Sequence, residues 1–300
     1  IYLGSIIDDK VWKGIAEGLN YGLGFMVIFM LHFTVATKQP AMTAARFAEA
    51  VEKTPQGKSV NMKLAQLLVD VFRSQSIAVL GNVLIAMGLA ALIAFSYQYK
   101  TGEPLMNADQ IAYQLHSIDP FAGTLWFAAI AGVWLFCSGI ISGYFDNRSN
   151  YLNMRMRLAQ HPLLKKLMSE KTRVKFANYM HENYGSLIGN LCFGMLLGIT
   201  GVVGYLTHLP LDIRHVAFSS ANVGYIAVSG HFTYSLLLQC IGFVLLIGLV
   251  NLIVSFSLTL WVALRSLNAE IDSWWPIWHE VCQIVKKRPL SLFFPVQLDK

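Results

Sequence analysis

Charged side chains are scarce in this sequence. Asp, Glu, Lys and Arg make up 13% of its 300 residues, about half the share found in soluble domains. With 55% hydrophobic residues and a mean hydropathy of +0.50, most of its surface is unsuited to water. Cysteine is scarce too, at four residues. Cys137, Cys192 and Cys240 fall in apolar runs and Cys282 near the C-terminus, which excludes a disulfide framework and a CxxC metal site. Residues 1 to 14 lack the basic start, apolar run and small-residue cleavage site of a secretory leader. Catalytic signatures are missing as well. Gln56-Gly57-Lys58-Ser59 imitates the end of a phosphate loop, but Glu52 stands where its first glycine belongs. His279-Glu280 runs into Val281-Cys282-Gln283 instead of completing HExxH, and no GxSxG occurs. No catalytic residue, cofactor site or metal site is therefore expected.

What is present is uncharged sequence in long runs. Residues 18–37, 74–99, 120–145 and 183–211 contain no Asp, Glu, Lys or Arg, and neither does 215–264. Each of the first four can supply the ~20 residues that cross a hydrocarbon core. Nineteen of the 23 Lys and Arg cluster in 38–76, 146–185 and 265–300. Cytoplasmic loops retain these residues, so the three segments are assigned to the inside and the poor ones to the outside. Residue 1 then lies outside. It is Ile, not Met, and the residues after it are apolar, so the sequence is expected to be the C-terminal part of a longer chain. The bilayer is the expected primary partner, although the net charge is +6.

The last run of 50 residues holds either two full spans or one span and something shorter. Two would place Lys286, Lys287 and Arg288 outside. The expectation is therefore a re-entrant or interfacial element over His215 to Gly230, followed by one span over Leu236 to Leu264. Ser219, Ser220, Asn222, Gly224, Ser229 and Gly230 also make that short stretch a poor lipid-facing helix, and irregular backbone at depth must be shielded by protein or water. On the inner side, Val60, Leu64, Leu67, Leu68 and Val71 recur at helical spacing, as in an interfacial amphipathic helix. Pro40 is expected to break the helix before it and Thr43 to cap the next one. Pro276 is expected to kink or restart the tail helix, with Trp274, Trp275 and Trp278 at headgroup level.

Gly14, Gly18 and Gly22 share one helix face, as do Gly139 with Gly143 and Gly194 with Gly198. Small residues allow close helix contact in lipid. Packing within the chain is the main expectation, and a protein partner or homo-oligomer through these faces is the alternative. Asn82, Asn190, Gln239 and Asn251 lie at membrane depth, where an amide needs a partner, and interhelical hydrogen bonds are the simplest role. His32 is an intramembrane ionisable group and so a functional candidate. Lys38 is placed to snorkel to the inner headgroups. Asp212, Arg214 and His215, just ahead of the re-entrant element, are candidates for lining a cavity together with Asn222, as broken membrane segments do.

Two stretches resemble a bacterial transmembrane family that carries the name site-specific recombinase. They are Thr37-Lys38-Gln39-Pro40-Ala41-Met42-Thr43-Ala44-Ala45 and Asp212-Ile213-Arg214-His215-Val216-Ala217-Phe218-Ser219-Ser220-Ala221-Asn222. Order and hydropathy are compatible with that family over most of the chain. The resemblance implies a longer protein with a soluble part ahead of the membrane region, and its name implies a membrane-anchored DNA recombinase. The residues fit that activity poorly. A tyrosine recombinase commonly uses a His-x-x-Arg pair, and none of the eight histidines is followed at the third position by Arg. A serine recombinase needs a soluble catalytic domain. The Lys and Arg of 146–185 can touch DNA phosphates, but topology and anionic lipids account better for their position between two spans.

The expectation is thus an all-α integral membrane protein of the bacterial inner membrane. It is a bundle of about five transmembrane helices with a short re-entrant or interfacial segment and amphipathic cytoplasmic helices. Residues 1–300 form a single transmembrane domain, with a basic cytoplasmic loop at 146–185 and a cytoplasmic tail at 265–300. Its expected role is a transport-related or lipid-associated module without chemistry of its own, and nucleic acid is not the expected partner. The alternatives are the recombinase of the family name and a scaffold for an upstream domain or partner protein.

Overall fold

The computed structural model describes residues 7, 9–31, 39–52, 58–229, 233–292 and 294. The candidates His32 and Lys38 lie outside them, as does Gly230. Every regular element among the described residues is helical: α1 Lys10–Met30, α2 Gln39–Glu52, α3 Lys58–Thr101, α4 Ala108–Ile118, α5 Thr124–Tyr151, α6 Met154–Gln160, α7 Pro162–Leu167, α8 Glu170–Thr207, α9 Val216–Ala227, α10 Tyr234–Ser266 and α11 Trp275–Lys287. Two 3₁₀ turns, Pro120–Ala122 and Pro289–Leu292, complete the set.

Among the described residues four helices are long and apolar enough to cross a membrane: Asn61–Thr101, Thr124–Tyr151, Glu170–Thr207 and Tyr234–Ser266. They match four of the five expected spans. The remaining run, 18–37, begins in α1 and ends outside the described residues. The apolar helices keep faces that the protein does not cover. Leu84, Leu92 and Ile93 on α3 are 63%, 64% and 56% exposed, in a continuous apolar face that a water-soluble monomer does not carry.

The structure corrects several local expectations. Residues 60–75 do not form a separate surface helix but the first turns of the 44-residue α3. Their charges do not interrupt it, because Arg73 donates to Asp70 at 2.8 Å and Gln66 donates to Asp70 at 3.1 Å. The apolar face is covered by protein: Leu64 and Ala65 join Ala44, Phe47, Leu260 and Ile277 in one cluster. Thr43 is not an N-cap. Its helix already begins at Gln39, with Pro40 in the first turn, where proline's missing N–H is harmless. Pro276 does restart a helix, since it stands in the first turn of α11. The basic segment 146–185 is helical over most of its length, through the end of α5, α6, α7 and the start of α8.

The chain divides into two compact units, residues 1–38 with 134–212 and residues 39–133 with 213–300. In the first, α1 packs along α8 in opposite direction through glycine. A Cβ on Gly194 would fall on the backbone of Gly22, and one on Gly198 would fall on Gly18. These two glycine stripes meet each other within the chain. On the other flank of α8, Gly185 and Gly189 meet Ser138, Ser142 and Asp146 of α5.

In the second unit, α9 lies against α3 and α10. Val216 is opposite Val79 and Gly248, and Gly224 is opposite Met87 and Ala90. The helix therefore runs parallel to α3 and antiparallel to α10. Its 12 residues extend ~18 Å, well short of the ~30 Å of a hydrocarbon core. The chain ahead of it, from Leu209, forms no regular element. It brings Val216 opposite Asn251, which stands seventeen residues into α10, ~25 Å along that helix.

Candidate functional site

The start of α9 exposes N–H groups that no turn of its own helix can satisfy. His215, the residue before it, provides no side-chain cap. The cap comes from another helix: the Val216 N–H donates to Asn251 Oδ1 at 3.2 Å. Both amide hydrogens of Asn251 are used as well. Its Nδ2 donates to the carbonyls of Ala128 at 2.7 Å and Arg214 at 3.0 Å, so one side chain ties α10 to α5, to the irregular segment and to α9. Asn251 is only 2% exposed, and at that depth an amide requires such partners.

Arg214 does the matching task for α4. Its Nε donates to the Ser117 carbonyl at 2.7 Å, one of the last carbonyls of α4, which have no acceptor role within that helix. A cation there also complements the negative end of the helix dipole. The guanidinium lies 5.5 Å from the Phe127 ring centroid, a cation–π distance, and the Arg214 N–H donates to the Phe127 carbonyl. Thr124 Oγ1 adds a second donor to Ser117 at 3.0 Å. Further along α9, Asn222 Nδ2 donates to Gln114 Oε1 at 2.7 Å. His215 is buried, in an edge-type ring contact with Phe218.

Of the expected residues, Arg214, His215, Asn222 and Asn251 come together around α9. Asn82 stays half-buried on α3 and takes no part in these hydrogen bonds. Gln239 lies exposed on α10. Asn190 and Asp212 belong to the first unit, where Asn190 is fully buried on α8. That unit has polar contacts of its own. Asp146 Oδ1 accepts from the Gly185 N–H at 3.1 Å, and Ser149 Oγ lies 3.1 Å from His181 Nδ1. Gln114, Ser117 and Thr124 were not expected. The only sequence sign of them is the α4 capping box Asn107-x-x-Gln110, which marks a helix without indicating what it touches.

Chemically the junction offers one cation, three amides and a histidine: Arg214 and Asn251 satisfy backbone groups at two helix ends, and Asn222 pairs with Gln114. Among the described residues no group of three or more His, Cys, Asp and Glu is placed to hold a metal.

These features define a multi-pass helical membrane protein with a half-length helix. A family model described as "Site-specific recombinase" matches residues 1–295. The chain belongs to that family. No curated protein and no solved structure matches it.

Proposed function

We propose that this chain is a transport-related or lipid-associated module of a bacterial inner membrane, with α9 and the segment ahead of it as its working element. The observation that carries this reading is the position of Val216 opposite Asn251. A half-helix with its start at mid-bundle, preceded by irregular backbone carrying Arg214, is the kind of element that forms midplane sites in transporters. In this reading α9 fills the outer half of the bundle and returns without crossing.

Thiol labelling in a variant lacking Cys137, Cys192, Cys240 and Cys282 tests the path. Single cysteines at 212 and 233 are expected to label from the same, periplasmic side, with protection deepening towards 216. Labelling of 212 from the periplasm and 233 from the cytoplasm would make the segment a span and remove the site.

The competing reading is a membrane-anchored site-specific DNA recombinase, favoured by the family's name. It needs a nucleophile beside a cluster of phosphate-binding cations in a place DNA can reach. The purified chain, incubated with supercoiled and linear duplex at physiological salt, is expected to give no strand exchange. Reproducible exchange abolished by a single Tyr or Ser substitution would reinstate the recombinase.

A further inference from the structure

The helical elbow between α5 and α8 is basic and apolar at once. Residues 151–175 hold seven Lys and Arg and one acid. Arg155 and Arg157 on α6 and Lys165 and Lys166 on α7 are all exposed. Between them stand apolar side chains that no protein covers: Met156 is 59% exposed, Leu163 62% and Leu167 78%.

The elbow is held close to the apolar part of its own unit. Ser149 meets His181, and Arg173 Nε donates to the Ala159 carbonyl at 2.6 Å, so α6 lies along the first turns of α8. The α1–α8 contact gives a depth marker. Gly22 faces Leu191 and Gly194, and continuing that antiparallel register brings the exposed, apolar Leu31 of α1 level with about residue 185 of α8. Lys175, on α8 beside the elbow, is ten residues further on, ~15 Å along the axis. A headgroup layer is ~5–8 Å thick and a Debye length at physiological salt adds ~8 Å. The cations thus fall within reach of the lipid phosphates.

We propose that the elbow formed by α6 and α7 is a docking surface for the anionic phospholipid headgroups of the adjoining leaflet. Its cations meet the phosphates, and Met156, Leu163 and Leu167 enter the acyl boundary as the apolar side of an interfacial helix does. Duplex DNA fits less well. A phosphate backbone offers nothing to those three side chains, which would stay in water beside a polar partner. The inference rests on the chain being membrane-embedded, but not on the path of α9 or on any transported solute.

The test is hydrogen exchange of the full chain in nanodiscs, either zwitterionic or containing anionic phosphatidylglycerol. Amides of 152–169 are expected to exchange about tenfold more slowly in the anionic discs, since each cation near such a surface contributes substantially. High salt should reduce the difference. Combined Arg155→Gln, Arg157→Gln, Lys165→Gln and Lys166→Gln should abolish it while α8 beyond residue 185 exchanges as before, which shows that the bundle is intact. Leu163→Ser with Leu167→Ser should weaken it with all charges kept. Equal exchange in both discs would overturn the proposal. So would protection in zwitterionic discs on adding a DNA duplex, which would assign the elbow to nucleic acid. A failed α9 labelling experiment leaves both of these outcomes readable.

Discussion

Gly198→Leu is expected to prevent stable folding of the first unit, whereas Gly201→Leu, one turn further along the same helix, is expected to be tolerated. An added side chain normally helps a helix, by up to ~1 kcal/mol for glycine to alanine. At position 198 that gain is overridden, because the first carbon of any side chain would fall on the backbone of Gly18. Backbone cannot rotate aside as a side chain can. The helices must separate, and every contact along the α1–α8 seam weakens with distance. Overpacking costs ~1–3 kcal/mol where side chains can adjust, so the expected loss here is at the upper end of that range or beyond. A Cβ at Gly201 would meet nothing within 4 Å in the surrounding protein, and substitution there should stay within ~0.5 kcal/mol of the parent. Thermal unfolding of both variants in the same detergent, followed by size-exclusion, measures the contrast. Equal stability of the two would mean that α1 and α8 do not meet as described. A Gly198→Leu variant that stayed folded but changed oligomeric state would turn the stripe into a contact between copies.

Asn251→Leu is expected to destabilise the second unit by ~2–3 kcal/mol. Measured interhelical hydrogen bonds in membranes average only ~0.6 kcal/mol, because a chain unfolded in the bilayer finds other partners. Asn251 exceeds that average for two reasons. It makes three bonds, and all three are to backbone groups of other elements: Val216 N–H, Ala128 C=O and Arg214 C=O. Leucine fills much the same space but leaves the first donor of α9 buried without an acceptor, a cost of ~1–3 kcal/mol by itself. Asn251→Asp separates the contributions. It keeps an oxygen for Val216 and loses both donors, so it should lie at or below the leucine variant once the buried charge is counted. Asn222→Leu removes one bond, to Gln114, from the middle of α9 and should cost ~1 kcal/mol or less. Unfolding midpoints of the three variants decide the order. If Asn251→Leu matched the parent, the junction would not be what holds α9.

Some of this is legible in the sequence because the bilayer leaves few choices. Runs such as 120–145 and 236–264 read as helices, since lipid admits only helices and closed barrels and these runs far exceed the ~9–11 residues of a spanning strand. The glycine stripes of α1 and α8 are legible for a similar reason, as four-residue spacing puts small residues on one face. The short helix follows from the small and polar residues of 216–229 together with the position of Lys286 to Arg288. What is not legible depends on contacts between distant positions. Asn251 announces that it needs partners, but not that they are Ala128, 123 residues earlier, and Arg214, 37 residues earlier. Ser117 and Gln114 look like polar positions of an exposed helix. The first turns of α3 mislead for a local reason. Lys63, Asp70 and Arg73 read as the edge of a surface helix, yet the pair Asp70 and Arg73 lies one turn apart and partly neutralises itself, so the helix runs on through it.

The origin of the α9 cap also bears on how the protein is made. The acceptor for Val216 is supplied by a residue 35 positions later in the chain. At ~5–20 residues per second, the ribosome takes ~2–7 seconds of elongation to reach it. During that interval the start of α9 has no protein acceptor at hand, and hydrocarbon offers none. On the proposed re-entrant path, the segment is expected to wait in water or at the membrane surface until α10 emerges, so that the two enter together as a hairpin. A chain cut short before Asn251 would lack the acceptor for Val216, and α9 is then expected not to dock.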